Sequence, residues 1–123
     1  MFSIDKMSRV PIYEQLISIF ETGIISGEFA ADEPLPSVRA LSQQLSINPN
    51  TLQRAYQEIE HRGLCYTVPG SGRYLSTDAL DRIRSAAFER MDDLGSMLTE
   101  LKSKGVSKDE IQRVIDSVYE RQV

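Results

Sequence analysis

Two helix-start signals stand close together in the middle of this chain, and a stop signal follows them. Ser37 precedes Val38-Arg39-Ala40-Leu41, and Asn48-Pro49 precedes Asn50-Thr51-Leu52. Ser and Asn side chains accept hydrogen bonds from the otherwise unpaired N–H groups of a first helical turn. Proline at the first helical position gives up only a donor that has no partner there. Gly63 then occupies the place where a left-handed residue ends a helix. Residues 37–63 are thereby confined to a short helix, a turn at Ser46-Ile47 and a second helix.

The flanks complete the unit. Val10-Pro11 opens an earlier helix, with proline expected at its first position. Ile12, Leu16, Ile19, Phe20 and Ile24 recur at the helical period, and Tyr13, Ile17 and Ile25 widen the stripe. Gly27 ends it, and residues 28–36, with Asp32-Glu33-Pro34 and Pro36, read as a loop. Val38, Leu41 and Leu45 form the inner face of the second helix. Leu52, Ala55, Tyr56 and Ile59 form that of the third. After Gly63 the pattern changes to strands, Leu64 to Val68 and Tyr74 to Ser76, around a tip of Pro69-Gly70-Ser71-Gly72-Arg73. The expected fold is mainly α with a small β-hairpin: a winged helix-turn-helix over residues 1–76, followed by a two-helix segment.

That segment, residues 77–123, carries a seam. Leu80, Ile83, Ala87, Met91, Leu94, Leu98 and Leu101 alternate three- and four-residue spacings, which predicts one long helix over 79–103. Ser107 and Glu110 form a capping-box signal for a last helix, with Ile111, Val114, Ile115, Val118 and Tyr119 on one face. Two such helices, of about 25 and 15 residues, do not enclose a ligand pocket of the usual ~300 Å³ by themselves. Folding back onto the winged part is one use for their apolar faces. Dimerisation is preferred, with the same face of a second copy as the cover.

Most chemistry is excluded by what the chain lacks. It holds one His and one Cys, with no CxxC, HExxH or GxxxxGK[ST] pattern. His61 sits at the end of the third helix, where an imidazole suits the last carbonyls. Cys65 sits in a strand, where it behaves as a small hydrophobe and has no disulfide partner. No metal, cofactor or enzymatic activity is expected. The start Met1-Phe2-Ser3-Ile4-Asp5 lacks the form of a signal peptide, and no apolar run reaches the length of a membrane span. A cytoplasmic protein with no membrane partner is the expectation.

The 14 basic and 18 acidic residues give a net charge of −4, distributed unevenly. Residues 34–76 carry Arg39, Arg54, Arg62 and Arg73 against only Glu58 and Glu60, and form the one net-positive stretch. Within it, Asn50, Gln53, Arg54 and Gln57 share the outer face of the third helix. A merely solvated face favours Glu and Lys, and this one omits both until Glu58. Amide side chains pair bidentately with adenine and Arg with guanine in the major groove, which the start of such a helix enters. Ser37 and Arg39, at the start of the second helix, suit phosphate. Gly70, Ser71, Gly72 and Arg73 would bring N–H groups and a cation to flanking DNA.

In combination, Leu35-Pro36-Ser37-x-Arg39-x-Leu41, Asn50-Thr51-Leu52-x-Arg54-Ala55-Tyr56, Gly63-Leu64 and Gly70-x-Gly72 resemble the DNA-binding domain of GntR-family bacterial repressors. Asn48-Pro49-Asn50-Thr51 and the short tail resemble the YtrA-like subfamily. The resemblance implies a dimeric operator-binding regulator, often beside ABC-transporter genes. It also implies phosphate or base contacts from Arg39, Asn48, Asn50, Thr51, Gln53 and Arg54 and from the wing tip. Pro49 stands where many relatives have Arg, and Arg73 where a small hydroxyl residue is common. Two rival readings are a winged-helix protein-interaction module and a sensor whose DNA binding follows an unidentified small-molecule effector.

Overall fold

The computed structural model describes residues 3–121; Met1, Phe2, Gln122 and Val123 lie outside them. The elements run α1 (Ile12–Ile25), α2 (Val38–Leu45), α3 (Pro49–His61), β1 (Cys65–Val68), β2 (Gly72–Leu75), α4 (Ala79–Glu89), α5 (Met91–Ser103) and α6 (Lys108–Glu120). The chain divides between Ser85 and Ala86 into two compact units.

The first unit is a winged helix-turn-helix. α1 begins one residue later than expected, with Pro11 as its N-cap and Ile12 as its first helical residue. Leu16, Ile17, Phe20 and Ile24 turn inward, and α1 packs on α3 through them. Gly23, also on the inner face, lets the Phe29 ring close over the helix: an added Cβ would lie 2.4 Å from that ring. Ser37 Oγ accepts from Ala40 N at 3.0 Å and starts α2. Ser46, in left-handed conformation (φ 54°), makes the turn. Asn48 Oδ1 accepts from Asn50 N at 2.8 Å and starts α3. Leu52, Ala55, Tyr56 and Ile59 are all fully buried. Tyr56 packs at a tilt against Phe20, with ring centroids 4.9 Å apart, and donates its hydroxyl to the Pro36 carbonyl; burial pushes the phenol well above its usual range.

The hairpin differs from expectation in its bounds. β2 takes in Gly72 and Arg73, so the tip shrinks to Pro69-Gly70-Ser71. Ser71 N donates to Val68 O at 2.9 Å across Pro69 and Gly70 (φ 78°), the arrangement of a type II turn. Residues 32–35, expected as a plain loop, lie along β2: Asp32 N donates to Leu75 O, Leu75 N to Glu33 O and Leu35 N to Arg73 O. Pro34 bridges Tyr74 there, on an outer edge where its missing N–H costs no ladder bond.

The expected long helix over 79–103 is two helices. At Arg90 the N–H bonds to Ala87 O, three residues back, and the four-residue pattern resumes with Leu94 N to Arg90 O. Leu80 and Ile83, expected on the dimerisation seam, instead pack on the core of the first unit beside buried Ala79. In the second unit Ser107 and Glu110 form the expected reciprocal capping box, both bonds 3.1 Å. The Ser107 N–H holds the Glu110 carboxyl below its ordinary range. Among the described residues α5 and α6 bury no side chain, and they leave an open groove of about 610 Å³ between Leu98, Val106, Ile111 and Ile115.

Candidate nucleic-acid interface

α3 has three sides. One is core. A second, carrying Glu60, faces the wing: Thr67 Oγ1 donates to Glu60 Oε1 at 2.7 Å, and Arg73 Nε lies 3.3 Å from the same oxygen. The third, carrying Arg54, Glu58 and Arg62, faces α1, where Arg62 bonds Glu58 at 2.7 Å and reaches Glu21 at 3.6 Å. The Arg62 hydrogen bond holds the Glu58 carboxyl below its usual range. Between these flanks the outer face carries Asn50, Gln53 and Gln57, with Arg54 at its edge.

Those side chains are available. Asn50, Arg54 and Gln57 are exposed and Thr51 and Gln53 half-buried. Among the described residues the side-chain amides of Asn50, Gln53 and Gln57 make no hydrogen bond, so donors and acceptors point outward unspent. A buried amide in that condition would be costly, whereas at a solvent face water satisfies it and its donor–acceptor pair is of the kind that can bond a base edge. Arg39 is exposed in the first turn of α2. Neither it nor Arg54 joins an ion pair among the described residues.

Three of the expected contacts are already engaged. The Ser37 and Asn48 side-chain oxygens are spent on helix caps, which leaves Asn48 its NH₂ group. Arg73, expected as a cation at the wing tip, is in the strand. There it points back to Glu60 and stacks over the Tyr56 ring at 5.1 Å, with its side chain 19% exposed. Register explains this: Cys65, Thr67, Arg73 and Leu75 share the strand face toward α3, whereas Tyr66 and Tyr74 stack on the other face at 5.9 Å. The arginine therefore braces the wing against α3 and sets the walls of a shallow cleft of about 400 Å³ lined by Gln57, Glu60, His61 and Thr67. Gly70 and Ser71 remain exposed at the tip and Gly72 at the start of β2, with the Ser71 hydroxyl bonded to that of Tyr74. Cys65 is buried beneath, and burial lifts its thiol to about 11.

One neighbour of the outer face went unnoticed in the sequence. Tyr13, read there only as part of the α1 stripe, lies under Arg54, whose guanidinium carbon is 4.9 Å from the ring centroid. Its signal was an aromatic at the edge of an apolar stripe, which a one-helix reading does not connect to a residue of another helix.

Residues 12–75, more than half of the chain, match the bacterial regulatory proteins of the gntR family. The chain is 40% identical to the HTH-type transcriptional repressor YtrA of Bacillus subtilis over 79 residues, 64% of this chain and 61% of YtrA. It thus spans about three fifths of that relative's length. A GntR family transcriptional regulator from Listeria monocytogenes has a similar structure, with a TM-score of 0.72 at 31% identity over 93% of this chain and 98% of that one. The DNA-binding domain of AraR in complex with operator ORX1 is similar over 61% of this chain and 93% of that one, with a TM-score of 0.54 at 25% identity. With its helix-turn-helix, its wing and these likenesses, the chain belongs to the gntR family of bacterial regulatory proteins.

Proposed function

We propose that this protein binds a palindromic DNA operator as a homodimer and represses the genes beside it. The observation that carries the reading is the outer face of α3, where Asn50, Gln53, Arg54 and Gln57 present unpaired donors and acceptors. α3 enters the major groove and reads base edges. Arg39, the N–H groups at the start of α2 and the Gly70-Ser71-Gly72 segment of the wing hold the flanking backbone. The acidic total does not oppose this, because the negative charge lies elsewhere in the chain. The repressor YtrA and the operator-bound AraR domain support the same reading. On the YtrA-like resemblance we place ABC-transporter genes among those regulated.

The dimer is supported by the second unit. Phe88, Met91, Leu94, Met97, Val114, Ile115, Val118 and Tyr119 are exposed. Covering such side chains favours association at roughly 25 cal/mol per Å² of apolar surface removed from water. A second copy of the same face is the cover we propose for them, and the two α3 helices would then read half-sites about one turn of DNA apart.

The test is fluorescence anisotropy across a salt series, with the promoter region of the protein's own gene against random DNA. The expected outcome is salt-sensitive binding that favours the promoter by ~10³ or more. Binding to neither DNA at any salt would leave the winged helix as a protein-interaction surface.

A further inference from the structure

We propose that Tyr13 is a positioning residue for Arg54, holding its guanidinium over the edge of the DNA-reading face. This rests on the reading of α3 as the recognition helix and adds a residue of α1 to it. Arg54 Cζ stands 4.9 Å from the centroid of the Tyr13 ring. An exposed arginine on a helix samples many rotamers, and freezing them on binding costs affinity. Stacking on an aromatic face removes part of that freedom beforehand. The ring is uncharged, so the cation and the N–H edge of the guanidinium stay free for a base or phosphate. Arg62 and Arg73 show the contrast: each lies against a carboxylate, which consumes its charge and part of its edge.

The platform is itself held. Tyr13 is half-buried and packs on the core. The chain entering α1 is tied down by Asp5 N to Gln15 Oε1 at 2.9 Å, and by Gln15 Nε2 to the Asp5 carbonyl at 2.9 Å and the Val10 carbonyl at 2.8 Å. Lys6 Nζ donates at 2.7 Å to the carbonyl of Ser46, in the turn before α3. The segment entering α1 is thus fixed to α1 itself and, through Lys6, to the turn before α3. The Tyr13 hydroxyl makes no hydrogen bond among the described residues, so phenylalanine would keep the platform intact.

The experiment is a double-mutant cycle. Duplexes are first selected from a random-sequence pool by the full-length wild type. Affinities for a selected duplex and a scrambled one are then measured for Tyr13→Phe, Tyr13→Leu, Arg54→Ala and Tyr13→Leu/Arg54→Ala, with a thermal melt of each. Tyr13→Phe should match the wild type. Tyr13→Leu should weaken binding to the selected duplex about threefold to tenfold and to the scrambled one less, the range expected of a cation–π contact. In the Arg54→Ala background it should add nothing. An undiminished Tyr13→Leu effect in that background would overturn the proposal, as would Tyr13→Phe binding as weakly as Tyr13→Leu, which would assign the hydroxyl a contact of its own. Arg54→Ala binding as tightly as wild type while Asn50→Ala weakens would remove Arg54 as a reader and leave the DNA interface standing. A wild type that selects no sequence would sink both.

Discussion

The two units of this chain treat their apolar residues in opposite ways. Residues of the winged unit close over Leu16, Leu52, Tyr56 and Ile59 until almost nothing is exposed. In α5 and α6 the apolar residues have the same helical spacing, yet among the described residues none is buried. Helical period alone therefore does not make a core; a third surface must cover the stripe. The winged unit supplies three covers, from α1, α2 and the hairpin. The tail supplies only two helices, and two helices cover each other on one side. The first unit covers its own stripes, whereas the second leaves its apolar side chains exposed, which is the opening the proposed dimer would fill.

The largest effect that would test this contrast lies at Tyr56. Tyr56→Ala removes the packing on Phe20, the ring under Arg73 and the bond to the Pro36 carbonyl. A loss of about 3–5 kcal/mol in urea unfolding is expected. A loss under ~1 kcal/mol would mean that the core tolerates what its burial forbids. Next comes Leu94→Asp in α5, where Leu94 is 45% exposed. In an isolated chain that change should cost little. In the proposed dimer it buries a charge, and association should weaken by at least about a hundredfold, ~3 kcal/mol. Sedimentation equilibrium at micromolar protein reads this directly. A dimer that survives the change would place the interface elsewhere.

How much of this was legible in the sequence follows from the range of the forces. Caps act over three residues, so Ser37, Asn48 and Ser107 all appear where their spacing places them. The buried stripe of α3 follows from period alone. What stayed hidden joins parts distant in the chain. Arg73 looks like a free cation beside two glycines until strand register turns it toward Glu60. Tyr13 and Arg54 lie on different helices, and no local pattern links them. Leu80 and Ile83 continue the tail's spacing without a break, yet pack with the winged core, because repeat spacing does not say which surface comes nearest. The break at Arg90 has no proline or glycine to announce it.

The smallest effects come from two helical glycines, one in each unit, and they carry opposite signs. Gly23 of α1 lies under Phe29, and a Cβ there would stand 2.4 Å from the ring. The ring also packs against Phe20 at 5.9 Å, a contact that its displacement would disturb. Gly23→Ala should therefore destabilise the winged unit by about 1–3 kcal/mol, although alanine is the better helix former. Gly95 of α5 has no heavy atom within 4 Å of the same added carbon. There the helical preference of alanine should act unopposed and stabilise the tail by up to ~1 kcal/mol. Thermal melts of the two variants decide between cover and open space. The Gly95 result sharpens the comparison further, because the open space belongs to one chain. If Gly95→Ala lowers the melting temperature, and the loss deepens as protein concentration rises, the partner's surface must approach α5 at that glycine. If it raises the melting temperature at every concentration, Gly95 faces water in the proposed dimer as it does in one chain.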